Sequence, residues 1–353
     1  MYSLTLRRLR TASISRSPFC SPSDTNKLWA PSYVKGLSTE PPHSRNLSRG
    51  PGSMEIGTRP PTRVGPRDVA TRMNFYVPVG DDEPYQYVFT PPDGVAHNNL
   101  GSESRPVIVH DVRGRESEYS LDRNGFQFVR WPSTEQAFTD PEAIRTKYYA
   151  EVEELLKSVT GAKSVFIFDH TIRRSAVTET LDNLGARGPV DRVHVDQTPE
   201  ASIARVHRHL PDAAARLLAS RVRIINVWRP IAHPVAHRPL ALADWRTLTL
   251  TRGDADGSDH LVPVRLVYPD HEGSTFGVRY SPAMRFYYLA DQRPEEVALI
   301  KIFDSQEEGE GEGGADGLTA RVCAHSAFED PGSPPDAPTR QSIEVRAIVF
   351  DAE

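Results

Sequence analysis

Apolar and polar positions follow two different periods along this chain, and the change of period separates its elements. Over residues 141–159 apolar side chains recur at Ile144, Tyr148, Val152, Leu155 and Leu156, the spacing of one buried helical face. Asp140 stands at the N-cap, Pro141 at the first helical position and Gly161 just past the end, which are helix start and stop signals. A second helix is predicted after Thr198-Pro199, again a cap followed by proline; it breaks at Pro211 and resumes over 213–218. Elsewhere the pattern is that of strands. Aromatic and β-branched residues at 75–79 and 85–89, short runs at 106–111 and 126–129, and the apolar run at 163–169 read as extended. From Arg221 onward strands are predicted at 222–228, 261–268, 279–289, 297–303, 318–324 and 342–350. Many short strands between turn signals predict an α+β, mainly β chain, with a barrel or two-sheet jelly roll as its core and helices at its flanks.

The first 72 residues lack this patterning. They are rich in Ser, Pro and Arg, and Arg7, Arg8, Arg10 and Arg16 all precede the first acid, Asp24. Such a leader cannot bury enough apolar surface to order itself. Its composition also matches a mitochondrial presequence, so the expected location is cytoplasmic, with the mitochondrion as the alternative if the leader is a transit peptide. Residues 73–353 read as one domain, interrupted by an acidic, glycine-rich loop at 306–317. The net charge of -5 over 353 residues suggests no field for nucleic acid or anionic membrane. Cys20 and Cys323 lack the paired spacing of a disulfide framework or structural zinc site. Apolar runs such as 345–350 are strand-sized, so no membrane span is expected.

The chemistry concentrates at Val193-His194-Val195-Asp196-Gln197. Residues i and i+2 of a strand project from one face, so His194 and Asp196 can bind one ion side by side. Two imidazoles and a carboxylate on one face of an octahedral ion, with positions left open, form the ligand set of non-haem iron(II) oxygenases. The third ligand must come from another strand, and His325 ends the apolar stretch Val322-Cys323-Ala324. Taken alone, His-x-Asp is a common tripeptide, and the plainer reading is a surface histidine beside an aspartate that caps the following helix. The downstream order argues against that reading: after His325, Arg340-Gln341-Ser342 opens the last strand. 2-Oxoglutarate would chelate the iron by its keto-acid end. Its far carboxylate needs a permanently charged, two-pronged partner, which arginine supplies. Arg340 and Ser342 share a face and are the first choice for that grip. Arg346 keeps the same parity as the reserve, against a plain pairing with Glu344 or Asp351 on an exposed edge.

At these residues the chain resembles the fungal and bacterial hydroxylase/desaturase group called AsaB-like, which includes gibberellin desaturase-type and cephem-methoxylase-related proteins. The resemblance spans residues 73–353. It rests on the pentapeptide at 193–197, on Asn226-Val227-Trp228-Arg229-Pro230 followed by Pro239-Leu240-Ala241, on Met284-Arg285-Phe286-Tyr287-Tyr288, and on residues 325–346. It implies a double-stranded β-helix (cupin-like) oxygenase fold, with Fe(II) as metal and 2-oxoglutarate as co-substrate. It also implies hydroxylation or desaturation in secondary metabolism. The proline-rich loop between His325 and Arg340 is longer than is usual in that superfamily, which leaves the choice between Arg340 and Arg346 open.

Further candidates surround this set. Asn226 and Trp228 share a strand face; Asn226 is a candidate to hydrogen-bond the co-substrate and Trp228 to wall the cavity, against a turn-forming Asn and a core Trp. Arg173 and Arg174 follow a buried strand and are candidate contacts for a substrate carboxylate, against a solvated basic turn. Tyr287 and Tyr288 alternate, and Tyr288 is taken as the ring facing the substrate. His207 and His209 read as surface residues, and His233 with His237 makes a weak zinc reading. The expected function is oxidation of a small-molecule substrate with dioxygen, without nucleic acid as a partner. Two other classes use the same fold: a zinc-dependent hydrolase or isomerase, and a catalytically silent binding protein. A carboxylate anchor at Arg340 argues against the first, and the intact triad argues against the second.

Overall fold

The computed structural model describes residues 67–174, 188–249, 260–306 and 319–353, all within one compact unit. The leader up to residue 66 and the acidic stretch at 307–317 lie outside the described residues. In chain order the strands are β1 (Val69–Pro78), β2 (Tyr85–Tyr87), β3 (Leu100–Asp111), β4 (Phe126–Arg130), β5 (Ser164–Arg173), β6 (His194–Val195) and β7 (Val222–Pro230). Then follow β8 (Leu240–Ala243), β9 (Leu261–Val267), β10 (Glu272–Val278), β11 (Phe286–Tyr288), β12 (Glu296–Asp304), β13 (His325–Ala327) and β14 (Ser342–Phe350). They form two sheets, one of nine strands in the order β1-β3-β11-β8-β13-β6-β10-β9-β2 and one of five in the order β4-β12-β7-β14-β5.

The five-stranded sheet is covered on both faces, which is why β7 is buried at every position and reads as a continuous apolar run. Its outer face presents Ile225, Val227, Ile343 and Val345 to the helix over 141–160. That helix starts as predicted: the Asp140 side chain accepts the Glu142 amide at 2.9 Å and Pro141 sits in the first turn. Gly161 closes it in the left-handed conformation at φ 68°, which glycine adopts without a Cβ clash. Ile144–Tyr148 winds as a π turn, which periodicity did not predict. Ile144, Leu155 and Leu156 are buried under it, and each such side chain contributes roughly 1.5–3 kcal/mol. The inner face carries the alternate residues Asn226, Trp228 and Arg346 toward the other sheet.

Several boundaries differ from the sequence reading. β1 begins at Val69, inside the span taken as leader, and β3 extends well N-terminal of the predicted run at 106–111. β8 and β10 were not predicted. The segment read as a strand at 279–289 keeps only β11, because a turn closes at Ser281, whose carbonyl accepts the Met284 amide at 3.2 Å. Residues 319–324 are not a strand; the extended pairing comes later, in β13. The helix after Thr198 runs Pro199–His209, with the Thr198 hydroxyl accepting the Ala201 amide at 3.3 Å. Only Ala214–Leu217 continues it. Among the described residues no helix is long and apolar enough to cross a membrane.

Candidate active site

β6 has two residues, and its register builds the site. His194 pairs with Gly277 of β10 on one side and with His325 of β13 on the other, so the two imidazoles are cross-strand neighbours with centroids 4.4 Å apart. Each ring donates Nδ1–H to a carbonyl two residues back: His194 to Arg192 at 2.8 Å and His325 to Cys323 at 3.1 Å. A carbonyl can only accept, so each Nδ1 carries its proton and each Nε2 is turned toward Asp196. Those nitrogens lie 3.3 Å and 3.7 Å from Oδ1 of Asp196. The three donor atoms fall within 4.8 Å of one another.

The second oxygen of Asp196 is committed elsewhere. Oδ2 accepts from Asn226 Nδ2 at 2.7 Å and Arg346 Nε at 3.3 Å, and Asn226 and Arg346 are register partners on β7 and β14. One carboxylate oxygen is therefore held by the five-stranded sheet while the other joins the two imidazoles. Burial alone would raise the Asp196 pKa, but His194, Arg346 and His325 outweigh it and hold the carboxyl well below its ordinary range. Burial and the neighbouring His194 push His325 down, toward the neutral ring. Two imidazole nitrogens and one carboxylate oxygen converging within 4.8 Å, with each ring's Nδ1 already committed to a carbonyl, fit a first-row divalent metal.

The two candidate anchors separate clearly. Arg346 is no edge residue, since β14 lies between β7 and β5. Its guanidinium donates to Thr171 Oγ1 at 2.9 Å and contacts Asp169 at 3.3 Å and Glu344. Against the cost of burial these carboxylates and Asp196 raise its pKa. Arg340 is also buried, at 4% exposure, yet among the described residues it forms no ion pair with an acid. Nη1 donates to the Arg238 carbonyl at 2.8 Å, Nε is buried without a partner, and the group lies 5.7 Å from the Trp228 ring centroid. Burial, with Arg173 and Arg238 nearby, pushes its pKa down to about 9. Glu344 offsets this only in part, and a buried cation without an ion pair is costly unless an anion joins it.

A cavity of about 850 Å³ opens at this point, lined by His194, Asp196 and Arg346 together with Arg173, Arg192 and Tyr76. Its size suits a small molecule. A larger cavity of about 1070 Å³ is lined by none of the three clustered ligand residues, so chemistry rather than volume identifies the site. Of the other candidates, Arg173 lines the smaller cavity and donates to the Gly188 carbonyl at 2.7 Å. Arg174 is turned away from it, to Gln341 Oε1 at 2.7 Å and the Ala137 carbonyl at 2.6 Å. Trp228 is buried beside Arg340, and Ser342 is buried at the start of β14. The reading of Tyr288 as a substrate contact does not fit its placement. β11 pairs with β3 and β8, which sends the Tyr288 hydroxyl to the Arg67 carbonyl at 2.9 Å and its ring against Phe328. Tyr287 packs instead on Tyr119 and Phe126. His209 is half-buried and stacked on Phe168, so it is not a surface residue. Arg192 was missed, although Arg192, His194 and Asp196 share one strand parity that would have found it.

Comparison with known proteins agrees with this geometry. A family model described as oxidoreductase/YMDC permease-like domain matches residues 73–350. The hydroxylase/desaturase efuI of Hormonema carpetanum is 32% identical over 275 residues, 72% of this chain and 88% of the relative. The Fe(II)/2-oxoglutarate-dependent dioxygenase nvfI of Aspergillus novofumigatus is 33% identical over 288 residues, covering 79% of this chain and 96% of that one. The hydroxylase/desaturase poxK of Penicillium oxalicum is 34% identical over 285 residues, 74% of this chain and 84% of its own length. A solved structure of the iron and alpha-ketoglutarate-dependent endoperoxidase NvfI superposes with a TM-score of 0.69 at 33% identity, covering 81% of this chain and 99% of that chain. The mainly β fold is thus a jelly-roll core of the NvfI kind, and the AsaB-like label is an approximation of this wider group.

Proposed function

This chain belongs to the hydroxylase/desaturase family of Fe(II)/2-oxoglutarate-dependent dioxygenases, and we propose from that membership that it hydroxylates or desaturates a small molecule in secondary-metabolite biosynthesis at the His194, Asp196 and His325 site. Its cofactor is Fe(II), and 2-oxoglutarate and dioxygen are its co-substrates. The supporting observation is the convergence of two Nε2 atoms and one carboxylate oxygen within 4.8 Å; Arg340 is a buried arginine that forms no ion pair among the described residues.

When bound, iron(II) with 2-oxoglutarate supplies the oxidising chemistry. The protein's part is positioning. The Arg192 and Cys323 carbonyls fix the tautomer and direction of the two imidazoles. Asn226 and Arg346 hold Asp196 Oδ2, leaving Oδ1 for the metal. Arg340, with Ser342 beside it in sequence, is the anchor for the far carboxylate of 2-oxoglutarate. In this reading Asn226 and Arg346 act on Asp196, and neither is needed to grip the co-substrate.

The test is spectroscopic and needs no substrate. Anaerobic iron(II) plus 2-oxoglutarate is expected to give a weak visible charge-transfer band in the full chain. His194→Ala is expected to lose the metal and the band. Arg340→Ala should keep iron and need at least about ten-fold more 2-oxoglutarate to develop the band, the scale of one charge-assisted bidentate contact. A larger effect from Arg346→Ala without loss of iron would transfer the anchor to Arg346. No band in folded, iron-loaded protein would sink the proposal.

A further inference from the structure

The charges that line the cavity do not balance once their partners are assigned. Its acidic residues are all committed to arginines: Asp196 and Asp169 to Arg346, Asp191 to Arg238, and Glu272 to Arg265. Arg208 is held by Asp270 at 3.4 Å. Arg205 forms no ion pair among the described residues; its Nε donates to the neutral Gln197 Oε1 at 3.0 Å and its guanidinium lies 4.5 Å from the Phe168 centroid. Arg192 has still less. Its backbone carbonyl serves His194, but among the described residues its guanidinium has no hydrogen bond and no ion pair.

The chain from Val190 to His194, with Asp196 and Gln197, runs along the cavity, so Arg192 lines it together with the metal ligands His194 and Asp196. Arg192 is therefore a cationic residue of the same cavity as the metal ligands. Around it stand apolar walls from Tyr76, Phe168, Leu266 and Phe276. Half-burying an arginine with no counter-ion costs free energy in the empty site, and an anion arriving there recovers it.

We propose that Arg192 is a specificity residue that grips a carboxylate on the substrate, so that the enzyme oxidises small apolar molecules bearing one carboxylate. Arg205, from the helix Pro199–His209, adds a second positive charge to the same cavity. The proposal rests on the reading that Arg340, and not Arg192, holds 2-oxoglutarate. The grip also touches the metal site, because the residue that holds the substrate offers the carbonyl that orients His194.

The experiment uses the full chain, loaded anaerobically with iron(II) and saturating 2-oxoglutarate, and calorimetry with 1-adamantanecarboxylate and its primary amide as matched probes. The acid is expected to bind at least about ten-fold more tightly than the amide, the scale of one charge-assisted contact. Arg192→Gln should abolish that preference and Arg192→Lys should retain part of it. In both variants the 2-oxoglutarate concentration that develops the charge-transfer band should stay at the wild-type value, which also reports an intact site. Acid and amide binding alike in the wild type, including no binding by either, overturns the proposal without recourse to any variant. So does an acid preference that survives Arg192→Gln, since the probe would then sit on another group. A raised 2-oxoglutarate requirement in Arg192→Gln, with Arg340→Ala unaffected, overturns both this proposal and the Arg340 anchor. A raised requirement in Arg340→Ala alone leaves the anchor standing whatever the probes show.

Discussion

Asp196 divides its two oxygens between two tasks, and that division sets what its neighbours do. Oδ2 takes Asn226 at 2.7 Å and Arg346 at 3.3 Å, while Oδ1 faces both imidazoles. Partners of this kind commonly change metal affinity by about 10–100-fold when removed. Asn226→Ala is expected to weaken iron(II) binding by about ten-fold, because the carboxylate keeps one donor and gains freedom to rotate. Asn226→Asp should weaken it further by setting a second carboxylate against the first. Competition with a chelator under anaerobic conditions reads both, and unchanged affinity in both variants would remove Asn226 from the site. The ligand face was legible in the sequence because strand parity alone puts His194 and Asp196 together. The roles of Arg340 and Arg346 were not, since parity assigns a face and says nothing of the partners on it. Arg346 turned out to pair with Asp196, Asp169 and Glu344, while Arg340 forms no ion pair among the described residues and has Arg173 and Arg238 near it.

Elements that carry their own signals were legible, and those that borrow their structure were not. The helix over 141–160 states its cap, its apolar face and its glycine stop, and β7, β12 and β14 are long apolar runs covered on both faces. β10 reads Glu-Gly-Ser-Thr-Phe-Gly-Val, whose two glycines look like a loop. It is a strand because β9 and β6 pair with it. β13 is three residues long, too short for periodicity to detect. Gly277 shows why the glycine is tolerated in β10: a Cβ there would meet carbons of the Tyr76 side chain at 3.0, 3.1 and 3.2 Å. Tyr76 is itself buried, at 2% exposure, and lines the cavity, so it has little room to yield. Gly277→Ala is expected to destabilise the fold by about 1–3 kcal/mol, the range for overpacking, and Gly277→Val by more. Denaturant unfolding monitored by circular dichroism checks this, and an unshifted midpoint in both variants would show that the Tyr76 ring moves freely.

Across the whole molecule the site joins two sheets that share no strand. His194 and His325 belong to the nine-stranded sheet, with Asp196 directly after β6, whereas Asn226 and Arg346 reach Asp196 from the five-stranded one. A cation held by the three ligands therefore fixes the carboxylate through which the sheets meet. The unfolded chain presents no such cluster, since residues 194 and 325 come together only through the β6–β13 pairing. A ligand that binds the native state alone stabilises it by about 2.7 kcal/mol at a hundred times its dissociation constant. Protein stripped with a chelator is accordingly expected to melt several degrees below the same protein reloaded anaerobically with iron(II). His325→Ala should lose this metal-dependent gain, because two remaining ligands hold a divalent ion weakly. Asn226→Ala should need more metal to reach it, in step with its weaker affinity. Scanning calorimetry of the three proteins with and without metal separates these cases. An equal gain in wild type and His325→Ala would mean that the ion binds elsewhere, and that the two sheets are joined at Asp196 by Asn226 and Arg346 alone.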